Sequence, residues 1–244
     1  TSGLMVVLSS ETGRVRAVLL DNGYLTDVRT AAAGAVAARH LAPKSIQTVG
    51  IVGTGVQARL QLLAASKVRS FEKVLVWGRE PRKAMQFAEE MAGELGIVAE
   101  AVDNADQVVA GSQLAITTTA ATKPLFSAHS IHPGLHITAM GSDQESKNEI
   151  EPAVLAQADL VVCDRISQCE ILGELRSALE TGTLANTASV IEIADLVSGN
   201  TPGRTSDDQI TICDLTGTGV QDTAIASFSL NRIKNKNIGT KIRT

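Results

Sequence analysis

Two sets of residues in this 244-residue sequence could do chemistry: a glycine-rich run able to cradle phosphate, and a carboxylate beside an amine able to move a proton. The first is Gly53-Thr54-Gly55-Val56-Gln57-Ala58, directly after the β-branched residues Val49, Ile51 and Val52. Strand, G-x-G-x-x-A turn and helix, in that order, are the context in which these residue types bind a dinucleotide. Gly53 permits the tight turn, Gly55 lets the backbone approach a pyrophosphate, and Ala58 lets the helix pack on the strand. The helix N-terminus then offers free N–H groups and a partial positive charge. The plainer alternative is an ordinary βα turn, which the flanking strand and helix disfavour.

The second set is Gly141-Ser142-Asp143, with Lys147 and Glu149 close behind it, at the end of a strand expected over 136–141. Asp143 could pass protons to or from a substrate amine while hydride moves at a nicotinamide. Its competing role is to cap the next turn. Three further strand ends matter. After Val74-Leu75-Val76-Trp77 comes Gly78 and then Arg79, where an acidic residue would select NAD by bonding the ribose 2′-hydroxyl. A carboxylate would repel a 2′-phosphate, glycine leaves room for it, and a guanidinium can bind it with two hydrogen bonds. These residues predict a preference for NADP(H), with NAD(H) as the alternative. The run Ile116-Thr117-Thr118-Thr119 could bring hydroxyls to a nicotinamide ribose, although threonine is also a good strand former. Asp214-Leu215-Thr216-Gly217 opens a second glycine-rich loop that lacks P-loop spacing.

Composition excludes several other functions. The net charge of −4 and 2% aromatic content argue against nucleic-acid binding. No apolar run approaches a membrane span. Cys163, Cys169 and Cys213 have neither disulfide-framework nor zinc-site spacing; Cys163 and Cys213, inside apolar strand-like runs, read as buried thiols, and a reducing cytoplasm fits. His129, His132 and His136 surround Pro133-Gly134 and fit no helix-borne metal pair; no metal is expected. Arg232, Lys234, Lys236, Lys241 and Arg243 form a basic tail that reads as solvated. The sequence opens on Thr1 and enters a strand almost at once, which reads as a chain cut upstream.

The elements that must position these residues follow from the hydrophobic pattern. A hairpin is expected over 4–10 and 14–20, then a helix from Asp27, as its cap, to a stop at Pro43. From residue 48 strands and helices alternate. Strands are expected at 48–53, 73–78, 98–102, 114–119, 136–141, 160–164 and 210–215. Helices are expected at 57–68, 81–95, 105–110, 152–157, 168–179, 190–197 and 219–231. Such alternation predicts an α/β fold with a Rossmann-type, doubly wound, mostly parallel sheet, whose ligands lie beyond the carboxyl ends of its strands.

The order and spacing of Leu25-Thr26-Asp27-Val28-Arg29-Thr30-Ala31-Ala32-Ala33, the glycine loop, Met140-Gly141-Ser142-Asp143 with Lys147-Asn148-Glu149, Asp214-Leu215-Thr216-Gly217 and Gln221-Asp222 resemble the ornithine cyclodeaminase/μ-crystallin family over essentially the whole chain. The segment 22–34 is most similar to the cyclodeaminase-like proteins of ectoine utilisation. The resemblance implies a homodimer that acts on an amino acid or cyclic imine at its Cα–N bond. Its members include imine reductases, alanine dehydrogenases and ornithine cyclodeaminases that release ammonia, and its μ-crystallin branch binds cofactor without turnover. It implies three stretches: 1–29, part of a smaller α+β substrate and dimerisation domain; 30–222, the NAD(P) domain; and 223–244, returning to the first. Position by position, Asp143 corresponds to the catalytic proton donor and Arg29 to an arginine touching cofactor phosphate and substrate carboxylate. Thr30, Val56, Gln57, Thr119, Ala139, Gly141, Lys147 and Thr216 fall at or near cofactor contacts, joining Gly53, Thr54, Gly55 and Arg79 read from the motif and the strand end, and Gly217 falls beside the substrate. Gly78 departs from the acidic residue of the ornithine-cyclising members, which favours a reductase drawing on NADPH.

Overall fold

The computed structural model describes residues 3–234, 236 and 238–242; Thr1 and Arg243 lie outside them. The chain divides into two compact units, Thr1–Thr30 with Thr218–Thr244, and Ala31–Gly217.

The first unit begins with the expected hairpin. Strands β1 (Met5–Leu8) and β2 (Val15–Leu19) pair antiparallel, with a register irregularity at Val7/Leu8. Helix α1 (Tyr24–Leu41) starts earlier than expected. Its cap is Asp21, whose Oδ2 accepts from Leu25 N at 2.7 Å, while Asp27 lies within the first helical turn. The left-handed Asn22 (φ 54°) and Gly23 (φ 87°) make the sharp entry that brings Asp21 over the helix end.

In the second unit the alternating pattern folds as an eight-stranded, wholly parallel sheet. Its elements are β3 (Thr48–Val52), α2 (Val56–Ala65), β4 (Lys73–Trp77), α3 (Pro81–Leu95), β5 (Val98–Ala101), α4 (Ala105–Ala110), β6 (Leu114–Thr117), β7 (His136–Ala139), α5 (Pro152–Gln157), β8 (Leu160–Cys163), α6 (Ile166–Cys169), α7 (Glu174–Glu180), β9 (Ile191–Glu192), α8 (Ile193–Val197) and β10 (Thr211–Asp214). The strand order is β5-β4-β3-β6-β7-β10-β8-β9. The remaining helix, α9 (Gly219–Ile233), belongs to the first unit.

Period-two alternation sends neighbouring residues to opposite faces of the sheet. Ile51, Val74, Val76, Leu114 and Ile116 pack with Leu62 of α2 and Phe87 and Met91 of α3. Val52, Ala115, Ile137 and Ile212 pack on the other face with Val108 of α4, Leu155 of α5 and Leu175 of α7. Helices therefore cover both faces, as a doubly wound sheet requires. Burying each such Leu, Ile or Phe is worth roughly 1.5–3 kcal/mol. At the end of α1, where Pro43 stops the helix, Arg204 Nε donates to Leu41 O at 2.6 Å and Arg69 Nη2 to Arg39 O at 2.8 Å. Two guanidinium groups thus satisfy carbonyls at the negative pole of the helix.

Two expectations need correction. The helix expected at 168–179 is two short helices, α6 and α7, separated by residues 170–173. A continuous helix would not let Gly173 lie against the Asp214 carboxylate, which is where its missing Cβ leaves room. The helix expected at 190–197 starts three residues late, because Ile191 and Glu192 first pair with Val162 and Cys163 as strand β9. Hydrophobic periodicity cannot separate so short a strand from the first turn of a helix.

Candidate dinucleotide and proton-transfer site

At the switch point of the sheet, β3 lies between β4 and β6, and the loops leaving these three strands at their carboxyl ends enclose a cavity of about 530 Å³. Gly53, Thr54 and Gly55 line it from β3, Trp77, Gly78, Arg79, Glu80 and Lys83 from β4, and Thr118, Thr119, Ala120, Ala121 and Leu125 from β6. Gly53 has φ +126°, and its missing Cβ is what lets Thr118 approach. Gly55 has an ordinary backbone, and a Cβ there would meet nothing within 4 Å. The protein itself therefore does not require glycine at position 55, whereas a ligand passing close to the backbone does. Gly55 is also the N-cap of α2, and no side chain caps that helix. The N–H groups of the first turn stay available to an anion. Both observations fit a dinucleotide pyrophosphate.

Gly78 packs on Thr54: a Cβ at position 78 would lie 2.7 Å from Thr54 Cγ2. An acidic side chain could enter only by displacing that residue. Arg79 lines the cavity and forms no salt bridge among the described residues, whereas Lys83 pairs with Glu80 at 2.8 Å.

The Asp143 loop follows β7. Asp143 is half exposed, and its Oδ1 accepts from Lys147 Nζ at 2.5 Å. Three buried carboxylates, Glu149, Glu174 and Asp214, form no salt bridge among the described residues. Glu149 is fully buried and accepts from Thr117 Oγ1 at 2.6 Å, Thr119 N at 2.6 Å and Gly141 N at 2.9 Å. Burial raises its pKa against the opposing pull of these donors. Glu174 accepts from Glu149 N at 2.8 Å and from Ile150 N at 3.2 Å, and Asn148 Nδ2 also donates to it. Burial, then the nearby Asp214 charge, pushes Glu174 up to about 8. Asp214, at the end of β10, accepts from Leu175 N at 2.9 Å and is raised by burial to about 7. The second glycine loop is held by Asp164, which accepts from Gly217 N at 2.6 Å and Thr216 Oγ1 at 3.1 Å.

Of the residues singled out in the sequence, Gly53, Thr54, Gly55, Arg79 and Thr119 meet in one cavity. Val56 and Gln57 open α2 beside it, with Val56 exposed. Ala139 and Gly141 are buried at the end of β7, so they present backbone rather than side chains. Arg29 belongs to the first unit, where its Nε donates to Asp222 Oδ1 at 2.9 Å and its Nη1 to Gln221 Oε1 at 3.0 Å. Thr30 follows it on α1. His136 is buried between β6 and β10, bonded to Thr211 Oγ1 at 2.9 Å and Thr138 Oγ1 at 3.1 Å. Burial lowers its pKa to about 3, so it is a neutral core group. Sequence reasoning set Glu149 beside Asp143 as a helper without foreseeing these bonds, and it passed over Glu174 and Asp164. Their signal was a carboxylate inside or beside an apolar run, as in Asn148-Glu149-Ile150. Among the described residues, no group of three or more His, Cys, Asp or Glu is arranged to hold a metal, and no helix is long and apolar enough to cross a membrane.

Comparison with known proteins places this site in a family setting. The pattern of the ornithine cyclodeaminase/mu-crystallin family matches residues 1–237. An uncharacterised cyclodeaminase of Sinorhizobium fredii is 48% identical over 240 residues, which is 98% of this chain and 72% of that protein. Among solved structures, the iminosuccinate reductase of Paracoccus denitrificans in complex with NAD+ matches with a TM-score of 0.91 at 34% identity, covering 99% of this chain and 73% of that one. The Δ1-pyrroline-2-carboxylate reductase of Thermococcus litoralis, in complex with NADH and L-proline, matches with a TM-score of 0.92 at 29% identity, covering 98% and 74%.

Proposed function

This chain belongs to the ornithine cyclodeaminase/mu-crystallin family, and from that premise we propose that it is a nicotinamide-dependent oxidoreductase acting at the Cα–N bond of a small amino acid or cyclic imine. The observation that carries this reading is the cavity over β3, β4 and β6, with its uncapped helix end and an open space at Gly55. Solved relatives named as imine reductases hold NADH or NAD+.

When bound, the nicotinamide supplies hydride for reduction or accepts it in oxidation. The protein's own part is binding, orientation and proton transfer. The N–H groups that open α2 hold pyrophosphate, with Thr54, Val56 and Gln57 around it. Thr119 and the backbone of Ala139 and Gly141 border the ribose and nicotinamide, as do Lys147 and Thr216 by family correspondence. Arg79 takes the 2′-phosphate, so NADP(H) binds more tightly than NAD(H). Asp143, hydrogen-bonded to Lys147, passes the proton to the substrate nitrogen. Arg29 keeps N–H donors beyond those given to Asp222 and Gln221, and by family correspondence it holds cofactor phosphate and the substrate carboxylate. Gly217 borders the substrate by the same correspondence. The stretches 1–29 and 223–244 serve substrate binding and homodimer formation, and the unpaired Cys163, Cys169 and Cys213 suit a reducing cytoplasm.

Replacing Asp143 by alanine tests the assignment. Imine reduction is expected to fall by about 10²–10⁴-fold, the range for loss of a general acid, while dinucleotide affinity stays within about twofold. Full activity in D143A would end Asp143's role. A cyclodeaminase remains the second reading, favoured by the Sinorhizobium relative. It requires ammonia release with no net change in NAD(P)H.

A further inference from the structure

We propose that Glu149 is a positioning residue that locks the wall of the dinucleotide cavity to the strand end bearing Asp143. This inference rests on the cofactor reading above. Residues 118–121 form the cavity wall beyond β6, and Gly141 begins the Asp143 loop beyond β7. Strand pairing ends at Thr117 and Ala139, and the last backbone bond between the two strand ends runs from Met140 N to Thr117 O at 3.0 Å, short of both segments. One carboxylate spans the gap. Its Oε1 takes Thr119 N, and its Oε2 takes Gly141 N and Thr117 Oγ1.

The backbone of the same residue is laced to the same wall. Leu125 N donates to Glu149 O at 2.8 Å, and Asn148 N donates to Ala121 O at 2.9 Å. Glu174 then seats the residue by accepting from Glu149 N. Gly141 carries no side chain because a Cβ there would strike both the Glu149 carboxyl and Thr119 O.

Only an ionisable carboxyl can take three donors from two directions. A glutamine offers one oxygen, so its amide must face either Thr119 N or Gly141 N, donor against donor. The carboxylate is buried at a solvation cost and faces N–H and O–H donors rather than a cation, an arrangement that general core packing does not need. Setting the two loops in register gives it a purpose: the distance between cofactor and proton donor is then fixed by one side chain.

The test compares Glu149→Gln and Thr117→Val with the wild-type chain. Melting temperature, the Kd for NADPH and NADH by nucleotide fluorescence, and amide hydrogen exchange are measured. E149Q is expected to raise the dinucleotide Kd by about tenfold, the effect of losing one hydrogen bond to a charged group. It should also speed exchange at Thr119 or Gly141 while the amides of β6 and β7 keep their protection. T117V removes one donor of three and should shift the Kd less, in the same direction. A purely structural role would lower the melting temperature and leave the Kd of the folded protein unchanged; that result overturns the proposal. If E149Q does not fold, T117V decides, and an unchanged Kd counts against the clamp. If the wild-type chain binds neither nucleotide, the cofactor reading fails, and the exchange rates at Thr119 and Gly141 still decide whether Glu149 holds the two loops.

Discussion

Gly55 separates what the fold needs from what a ligand needs. A methyl group added there meets nothing in the protein, and the backbone (φ −88°) suits any residue. Gly55→Ala is therefore expected to leave the melting temperature within a few degrees of wild type while weakening dinucleotide binding by about tenfold or more, the effect of about 1.4 kcal/mol. Thermal melts paired with nucleotide titration read both effects, and unchanged affinity would place the pyrophosphate elsewhere. Arg79 is the selectivity residue. Arg79→Ala should weaken NADPH by about tenfold, the value of one charge-assisted hydrogen bond at an open site, and leave NADH nearly unchanged. Equal losses for both would assign Arg79 to the adenine or pyrophosphate instead. These residues were legible because each follows a β-branched strand and stands where a parallel sheet presents its ligands. Glu149 was not, because nothing local shows that a carboxylate eight residues after Gly141 folds back under two strand ends.

Secondary-structure elements were most legible where capping and periodicity agreed. Helices α3, α4 and α5 fall where expected, with Pro81 and Pro152 opening two of them and Asn104 capping the third. The break between α6 and α7 was hidden, since Gln168 to Leu179 shows no proline and one glycine. Its cause is tertiary: the turn delivers Glu174 to the backbone of residues 149 and 150 and Gly173 to Asp214. That arrangement has a pH signature. Glu174 rises from 4.5 to about 8 and Asp214 from 3.8 to about 7 in the folded protein. The native state then binds more protons than the unfolded chain between about pH 4 and 8, so their stabilisation is full at the acid end and declines as pH rises. The melting temperature should fall from pH 5 to pH 9. Glu174→Gln should flatten part of that fall, since Asp214 and Glu149, both raised by burial, still titrate. An unchanged fall in the variant would show that Glu174 is ionised throughout.

At the scale of the whole molecule, composition and alternation were enough for a doubly wound parallel sheet, and the observed order agrees with it. The hairpin of the first unit exposes Leu4, Val6, Leu8, Val15, Val18 and Leu20, and its register sets Val6 beside Val18 and Leu8 beside Val15, an apolar face of the kind that marks an interface. Sedimentation is expected to report twice the chain mass, and Leu8→Glu with Val18→Glu should shift it toward monomer. What the sequence left open is the substrate, because the same sheet and proton donor serve reduction, oxidation and deamination alike. If this cavity and Asp143 together carry out nicotinamide-dependent chemistry at a C–N bond, the absorbance of NADPH must change on mixing with the wild-type chain and Δ1-pyrroline-2-carboxylate or a comparable cyclic imine of an amino acid. One NADPH is expected to be lost for each imine reduced, faster than with NADH. No NADPH consumption with any such imine, together with ammonia release from a diamino acid at constant NAD(P)H, would contradict it.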